Sequence, residues 1–267
     1  MPIDLLLALS GLLAGGFGAL LGLGGGVLIV PILTLGFGFS LTTAIGTSLI
    51  CVIATSTGAA AINVAAGRAD VRLGMVLGAG TAVGALTGAM IAGFVPERVL
   101  AGLFAAMLAY TAFTMLRGTR RPGALDPVDL DPAAPDGPAA PPYRAHRLPV
   151  AIAGAFGGGN ISGMLGVGGG IVTVPLIHLV MGAPIRVAVA TSNFMIGITA
   201  AAGAYAYLFR GDVDPRVAAP VVLGVAVGGV LGARLGARIG SGPLVWLFVA
   251  VMAYVSVQMA IRAVAGA

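Results

Sequence analysis

The sequence predicts an all-α polytopic membrane protein with two homologous repeats of four to five membrane segments each. Hydrophobic residues make up 58% of its 267 positions and charged residues 9%, a composition that soluble globular domains do not have. Apolar runs at residues 71–95, 99–116 and 217–235 are close to the roughly 20 residues that a helix needs to cross a hydrocarbon core. These runs lack the alternation of barrel strands, and helices satisfy their own backbone groups in lipid.

The second observation is a sequence motif that occurs twice. Residues 21–31 read LGLGGGVLIVP and residues 165–175 read LGVGGGIVTVP, an offset of 144 positions. The offset continues without a gap, so that Thr47 corresponds to Thr191. Consecutive glycines followed by a proline interrupt a helix, and each repeat therefore has one glycine-broken helix. Duplicated membrane units with such breaks are typical of secondary transporters.

Three regions follow from this pattern: a first membrane repeat at 1–117, a connector at 118–147 and a second membrane repeat at 148–267. The connector is rich in proline and aspartate, so it cannot bury a core and is predicted to be flexible. Arginines flank it on both sides, which predicts a cytoplasmic location.

The elements of the first repeat are predicted in order from its apolar runs. Residues 3–39 form an apolar stretch that the glycine cluster interrupts, and a long helix follows at 42–66. Two further helices, at 72–95 and 99–116, end this repeat. The second repeat is predicted to have the same four elements, at 148–181, 185–209, 216–239 and 244–263.

The number of crossings made by the interrupted stretch stays open. A single crossing gives parallel repeats of four segments, whereas a double crossing gives repeats of five segments with inverted topology. With the connector placed inside, both alternatives put ten arginines inside and four outside. The positive-inside rule therefore does not decide between them.

Glycines recur at four-residue spacing on the helices that follow, for example Gly84 with Gly88 and Gly224 with Gly228. Small residues on one face allow membrane helices to approach closely. We interpret these glycines as helix-packing positions.

The glycine breaks are the first candidate site. Neither is followed by the Gly-Lys-Ser/Thr of a nucleotide-binding loop, and no strand precedes either of them. A break frees backbone N–H groups at the start of the next half-helix, where the dipole attracts anions. The predicted substrate-binding glycines are Gly24, Gly25, Gly26, Gly168, Gly169 and Gly170.

Polar side chains on the following helix extend this candidate site. Thr47 and Ser48 in the first repeat correspond to Thr191 and Ser192 in the second. Such hydroxyls often bond the carbonyl four residues earlier, so a structural role is the alternative. The amides of Asn193 and Asn160 can donate to an oxyanion, and we predict that both contact substrate.

Acidic residues do not lie centrally within any apolar run, so a buried carboxylate that carries a proton or sodium is not expected. His178 is the one titratable side chain well inside an apolar stretch and is the candidate proton relay, with a packing role as the alternative. We find no metal-ligand cluster and no catalytic constellation, and therefore expect no metal, no cofactor and no enzymatic activity.

The motifs LGLGGGVLIVP, AIGTSL, LGVGGGIVTVP and ATSNF, in two fused halves, resemble those of the sulfite exporter TauE/SafE family. The resemblance covers nearly all of the chain except the connector. It implies a multi-pass permease of the bacterial inner membrane that exports small sulfur-containing anions such as sulfite or sulfoacetate. It also marks both glycine breaks, the two Thr-Ser pairs and Asn193 as site residues.

The expected partners are a small anion and the lipid bilayer, and a homodimer stays open. Nucleic acid is not an expected partner, because the net charge of +5 comes from arginines without a basic patch. A passive anion channel and a partner-dependent membrane subunit in sulfur metabolism are the alternative functions. The identity of the anion, the coupling and the direction of transport are left undecided by the sequence.

Overall fold

Helices account for nearly all of the chain that the structure, a computed structural model, describes: residues 3–20, 26–118, 147–236 and 241–265. The first five helices are α1 (Ile3–Leu20), α2 (Gly26–Pro31), α3 (Leu41–Ala65), α4 (Val71–Ala92) and α5 (Glu97–Gly118). The next five are α6 (Leu148–Leu165), α7 (Gly170–Pro175), α8 (Ile185–Arg210), α9 (Pro215–Gly236) and α10 (Ser241–Ala265). The predicted all-α fold is confirmed. The connector at 118–147 lies almost wholly outside the described residues, and the division into three regions stays a prediction.

The helix ends follow local sequence signals. The Ser40 hydroxyl accepts a hydrogen bond from the Thr43 N–H at 3.2 Å and caps the start of α3. Asp70 caps α4 in the same way, accepting from the Leu73 N–H at 2.9 Å. Gly211, with a φ of 76°, ends α8 in the left-handed conformation that glycine adopts without strain. These local signals explain why the predicted bounds lie within about three residues of the observed ones.

Within the described residues, five helices are long and apolar enough to cross a membrane: α3, α4, α6, most of α8 and the larger part of α9. Large apolar side chains on their outer surfaces are open to the surroundings, with Phe209 77% and Leu223 68% exposed. A monomeric soluble protein rarely exposes so much contiguous apolar surface. These faces are therefore suited to contact with lipid.

Each interrupted stretch contains two helical arms. In the second one, α7 continues through a π-helical segment, Leu176–Val180, so this arm has eleven residues. Gly154 lies against Leu176, whereas Gly158, one turn further along α6, lies against Val172. The two arms therefore run antiparallel. At 1.5 Å per residue the returning arm is about 16 Å long, roughly half the thickness of a hydrocarbon core. The stretch doubles back, and α8 starts at the same face as α6.

The two halves run in opposite senses. The helices α3 and α8 hold the same place in the order of their halves, yet Leu49 lies against Gly203 and Ser56 against Gly197, which makes the two helices antiparallel. This matches the inverted alternative with five segments per repeat. The parallel alternative with one crossing is wrong, because it did not allow for the hairpin inside each interrupted stretch.

Close helix pairs join the two halves. The helix α1 packs along α9, and α4 packs along α6 and α8. A Cβ atom at Gly228 would lie 2.1 Å from the Leu12 carbonyl oxygen, and one at Gly88 would lie 2.1 Å from that of Asn160. Only glycine permits such contacts. The predicted packing role of these glycines is confirmed.

Candidate functional site

The two glycine breaks meet at one side chain. Ser48 on α3 is fully buried, and its hydroxyl oxygen lies 2.8 Å from the Gly166 carbonyl and 3.0 Å from the Gly26 carbonyl. The single hydroxyl proton is donated to one carbonyl or shared between the two. The predicted residues Ser48 and Gly26 are therefore brought together with the second break. Gly24 and Gly25 lie outside the described residues.

The second break is a run of left-handed glycines. Gly166, Gly168 and Gly169 have φ values of 74°, 77° and 82°, a region that is strained for other residues. Gly169 is the residue before α7, and its carbonyl accepts hydrogen bonds from the N–H groups of Val172 and Thr173 at 3.0 Å each. The two N–H groups before these, of Gly170 and Ile171, have no preceding helical carbonyl to bond. That they bind a substrate stays a prediction.

A short chain of hydroxyls runs from α8 to this break. The Ser192 and Thr173 hydroxyl oxygens are 2.6 Å apart, and that of Thr173 lies 3.1 Å from the Gly169 carbonyl. If the Thr173 proton goes to this carbonyl, Ser192 is the donor to Thr173. Sequence reasoning missed Thr173, although a hydroxyl where the first repeat has Ile29 was a visible difference.

The two predicted threonines have different surroundings. The Thr191 hydroxyl accepts a hydrogen bond from the Asp70 N–H at 2.9 Å, so it ties α8 to the start of α4 in the other half. The Thr47 hydroxyl is fully buried and has no hydrogen-bond partner in the described part of the chain. Thr191 therefore has a structural contact of its own, whereas Thr47 retains a free donor.

The two predicted asparagines lie in different places. The Asn160 amide donates to the Thr87 hydroxyl at 3.1 Å and so fixes the α4–α6 contact. Asn193 lies next to Ser192 on α8, and its half-buried amide has no hydrogen-bond partner in the described ranges. The Asn193 amide therefore keeps both of its N–H donors for a ligand, whereas one of the two on Asn160 is engaged.

His178 lies on the π-helical segment, eight residues after the start of α7, which is about 12 Å along a helix. Its Nδ1 atom is 2.8 Å from the Ala183 carbonyl, which closes the turn before α8. The side chain is exposed. Its position is therefore away from the glycine break, at the end of the arm.

Two apolar side chains fill the space beside the breaks. A Cβ atom at Gly168 would lie 2.8 Å from Val52 Cγ1 and 2.9 Å from Ile196 Cγ2. One at Gly26 would lie 2.5 Å from Val52 Cγ2, and one at Gly170 would lie 2.8 Å from Ile196 Cδ1. Sequence reasoning missed both residues, although they share the 144-residue offset.

A charged contact joins the two halves at the end of α8. The Arg210 guanidinium bonds the Asp212 carboxylate, with Nε to Oδ2 at 2.7 Å, donates to the Ala89 carbonyl of α4, and lies 4.5 Å from the Tyr207 ring centroid. Since α4, α6 and α8 run in the same direction, this contact at the end of α8 lies at the face opposite the one where α6 begins. Within the described residues, no group of three His, Cys, Asp or Glu side chains is placed to hold a metal.

The sequence of this protein is similar to those of a known family and of several named proteins. The family described as Sulfite exporter TauE/SafE matches residues 7–259. The probable membrane transporter protein YunE of Bacillus subtilis is 31% identical over 82% of this chain and 83% of its own length. The probable membrane transporter protein YdhB of the same organism is 28% identical over 84% of this chain and 85% of its own length. The probable membrane transporter protein MJ0441 of Methanocaldococcus jannaschii is 28% identical over 76% of this chain and 72% of its own length. No solved structure matches significantly. With five apolar helices long enough to cross a membrane, the chain is a multi-pass membrane protein that belongs to the sulfite exporter TauE/SafE family.

Proposed function

We propose that this protein is a secondary transporter that exports small sulfur-containing anions, such as sulfite or organosulfonates of the sulfoacetate kind, across the bacterial inner membrane. Family membership and relatives named as probable membrane transporters support transport. The name of the family supports sulfite as the first substrate to test.

The observation that carries the proposal is the Ser48 contact between the two breaks. The Ser48 hydroxyl lies between two interrupted helices from opposite halves and is within hydrogen-bonding distance of both. Transporter substrates bind at such a meeting of broken helices, near the middle of the membrane. Among the described residues, the surrounding groups are hydroxyls, amides and backbone N–H groups and include no carboxylate, which favours an anion over a cation.

In the proposed mechanism the anion binds between the breaks and exchanges its hydration shell for these donors. Thr47, Asn193 and the N–H groups of Gly170 and Ile171 have donors free in this conformation. Ser48 and Ser192 hold the breaks, Thr191 ties α8 to α4, and all three hydroxyls can turn toward the anion when the halves move. Val52 and Ile196 close the space beside the breaks, so passage requires the two halves to rock apart.

The membrane potential supplies the driving force for export. An inside-negative potential favours outward movement of an anion by about 2.3 kcal/mol per charge per 100 mV. A proton-coupling carboxylate is not needed for this direction. Transport that ignores the potential but follows the pH gradient steeply would contradict the proposal and favour a relay through His178.

The test is counterflow of labelled sulfite into proteoliposomes that contain the purified protein, with sulfoacetate, taurine, sulfate and chloride as competitors. We expect saturable exchange that Asn193→Ala reduces about tenfold, as loss of a hydrogen bond to a charged ligand would. Asn63→Ala is the matched control, because the Asn63 amide bonds the Ala59 carbonyl on its own helix, away from both breaks. It should leave the exchange unchanged.

Two other results would replace the proposal. Flux without saturable counterflow would indicate a passive anion channel. No movement of any sulfur anion would favour a membrane subunit that depends on a partner.

A further inference from the structure

A buried hydroxyl beside the second break has no partner. Ser162 on the last turn of α6 is 2% exposed, and its hydroxyl bonds no other group among the described residues. Most buried hydroxyls of the described part are bonded, as Ser48, Ser192 and Ser256 are. A buried hydroxyl without a partner destabilises a fold.

The Ser162 hydroxyl lies beside Gly169, the least crowded of the three glycines Gly168, Gly169 and Gly170. It lies 3.4 Å from the position that a Cβ atom on Gly169 would take. Such an atom would have only ordinary contacts, with Ser162 and Thr199, whereas one at Gly168 or Gly170 would meet Ile196 at less than 3 Å. Side chains therefore crowd the break less at Gly169 than at Gly168 or Gly170.

The Gly169 side of the break is lined by the start of the eleven-residue returning arm, Gly170–Val180. The N–H groups of Gly170 and Ile171 have no preceding helical carbonyl to bond, whereas those of Val172 and Thr173 bond the Gly169 carbonyl. The Ser162 hydroxyl, from α6, and the first two N–H groups of the returning arm are thus unsatisfied donors from two elements. Several predicted ligands are engaged elsewhere, since Ser48 bonds two carbonyls and Ser192 bonds Thr173.

We propose that Ser162 is a further substrate-contacting residue, whose hydroxyl donates a hydrogen bond to an oxygen of the transported anion at the Gly169 side of the second break. This inference rests on the proposed function and makes the site asymmetric, because the residue at the corresponding position in the first repeat is Gly18. The Ser162 hydroxyl is a hydrogen-bond donor that a glycine side chain does not have.

The test compares Ser162→Ala with Ser256→Ala, using thermal unfolding in detergent with and without sulfite and the half-saturation concentration for sulfite counterflow. Ser162→Ala should unfold at the same or a higher temperature than wild type without sulfite, because it removes an unsatisfied group. Its half-saturation concentration should rise about tenfold, as loss of one hydrogen bond to a charged ligand predicts. Ser162→Cys keeps a weaker donor and should give an intermediate rise.

Ser256 is the matched control, because its buried hydroxyl donates to the Ala105 carbonyl at 2.9 Å between α5 and α10. Ser256→Ala should lower the unfolding temperature and leave the half-saturation concentration unchanged. A wild-type half-saturation concentration in Ser162→Ala, or a lower unfolding temperature without sulfite, would overturn the role of Ser162 and leave the proposed function intact. A wild-type protein that does not respond to sulfite would overturn the proposed function itself.

Discussion

Val52 on α3 and Ile196 on α8 pack against the same glycine, Gly168, from the two halves of the protein. Each also packs against a second glycine of the breaks, Gly26 for Val52 and Gly170 for Ile196. The breaks are therefore held between a hydroxyl contact, made by Ser48, and an apolar contact.

Gly168→Ala should reduce both stability and transport. The change adds strain at a φ of 77° and a clash with Val52 and Ile196, together about 3 kcal/mol. Gly182→Ala is the control, because Gly182 has a φ of 73° but no atom within 4 Å of the added Cβ, so it should lose only about 1 kcal/mol. Unfolding in detergent and sulfite counterflow measure the two effects. Equal losses in both variants would mean that the packing around Gly168 is unimportant.

The contact between α1 and α9 should depend on one of two adjacent glycines. Gly228→Ala places a Cβ atom 2.1 Å from the Leu12 carbonyl oxygen, and overpacking of this kind destabilises by about 3 kcal/mol. Gly229→Ala meets only Thr55 at 3.8 Å and should change stability by less than about 1 kcal/mol. Unfolding in detergent measures both. If Gly229→Ala is the more harmful change, the orientation of α9 described above is incorrect.

Thr173 and Ser192 should be energetically coupled. Because their hydroxyls are 2.6 Å apart, Thr173→Val and Ser192→Ala each break the same hydrogen bond. The double variant should then lose about 1 kcal/mol less than the sum of the single losses. A double-mutant cycle of unfolding free energies measures this difference. Strict additivity would show that the two hydroxyls do not bond in the membrane.

Arg210 should stabilise the contact between α8 and α4 at the face opposite the one where α6 begins. Arg210→Ala loses the Asp212 pair, the bond to the Ala89 carbonyl and the contact with Tyr207, and we expect a loss of about 2 kcal/mol. The control is Arg216→Ala, which changes an exposed arginine on the same face. Unfolding temperature is the measurement, and a similar decrease in both variants would argue against a specific contact.

His178→Gln should leave the pH dependence of sulfite transport unchanged. The His178 ring bonds the Ala183 carbonyl at the end of the returning arm, away from the break, and glutamine retains an N–H donor for that carbonyl. Counterflow and potential-driven efflux between pH 6 and pH 8, a range that brackets the usual histidine pKa of about 6.5, provide the measurement. A pH profile that flattens in the variant would give His178 the proton-relay role.

Much of the fold is a local property of the sequence. Long apolar runs predict α3, α4, α8 and α9 close to their observed bounds, because crossing lipid requires a continuous helix whatever it packs against. The breaks are local too, since Gly168 and Gly169 adopt conformations that only glycine takes without strain. The sequence by itself therefore determined the class, the helices and the places where they are interrupted.

The tertiary structure decided what the polar groups bond and which way the halves run. Ser48 and Gly166 are 118 positions apart, and Thr191 and Asp70 are 121 apart. No local pattern encodes such partners, because they depend on how the hairpin inside each interrupted stretch folds back against the other half. For the same reason Asn160 and Asn193 look alike in the sequence but differ in the fold, where one bonds Thr87 and the other retains its donors.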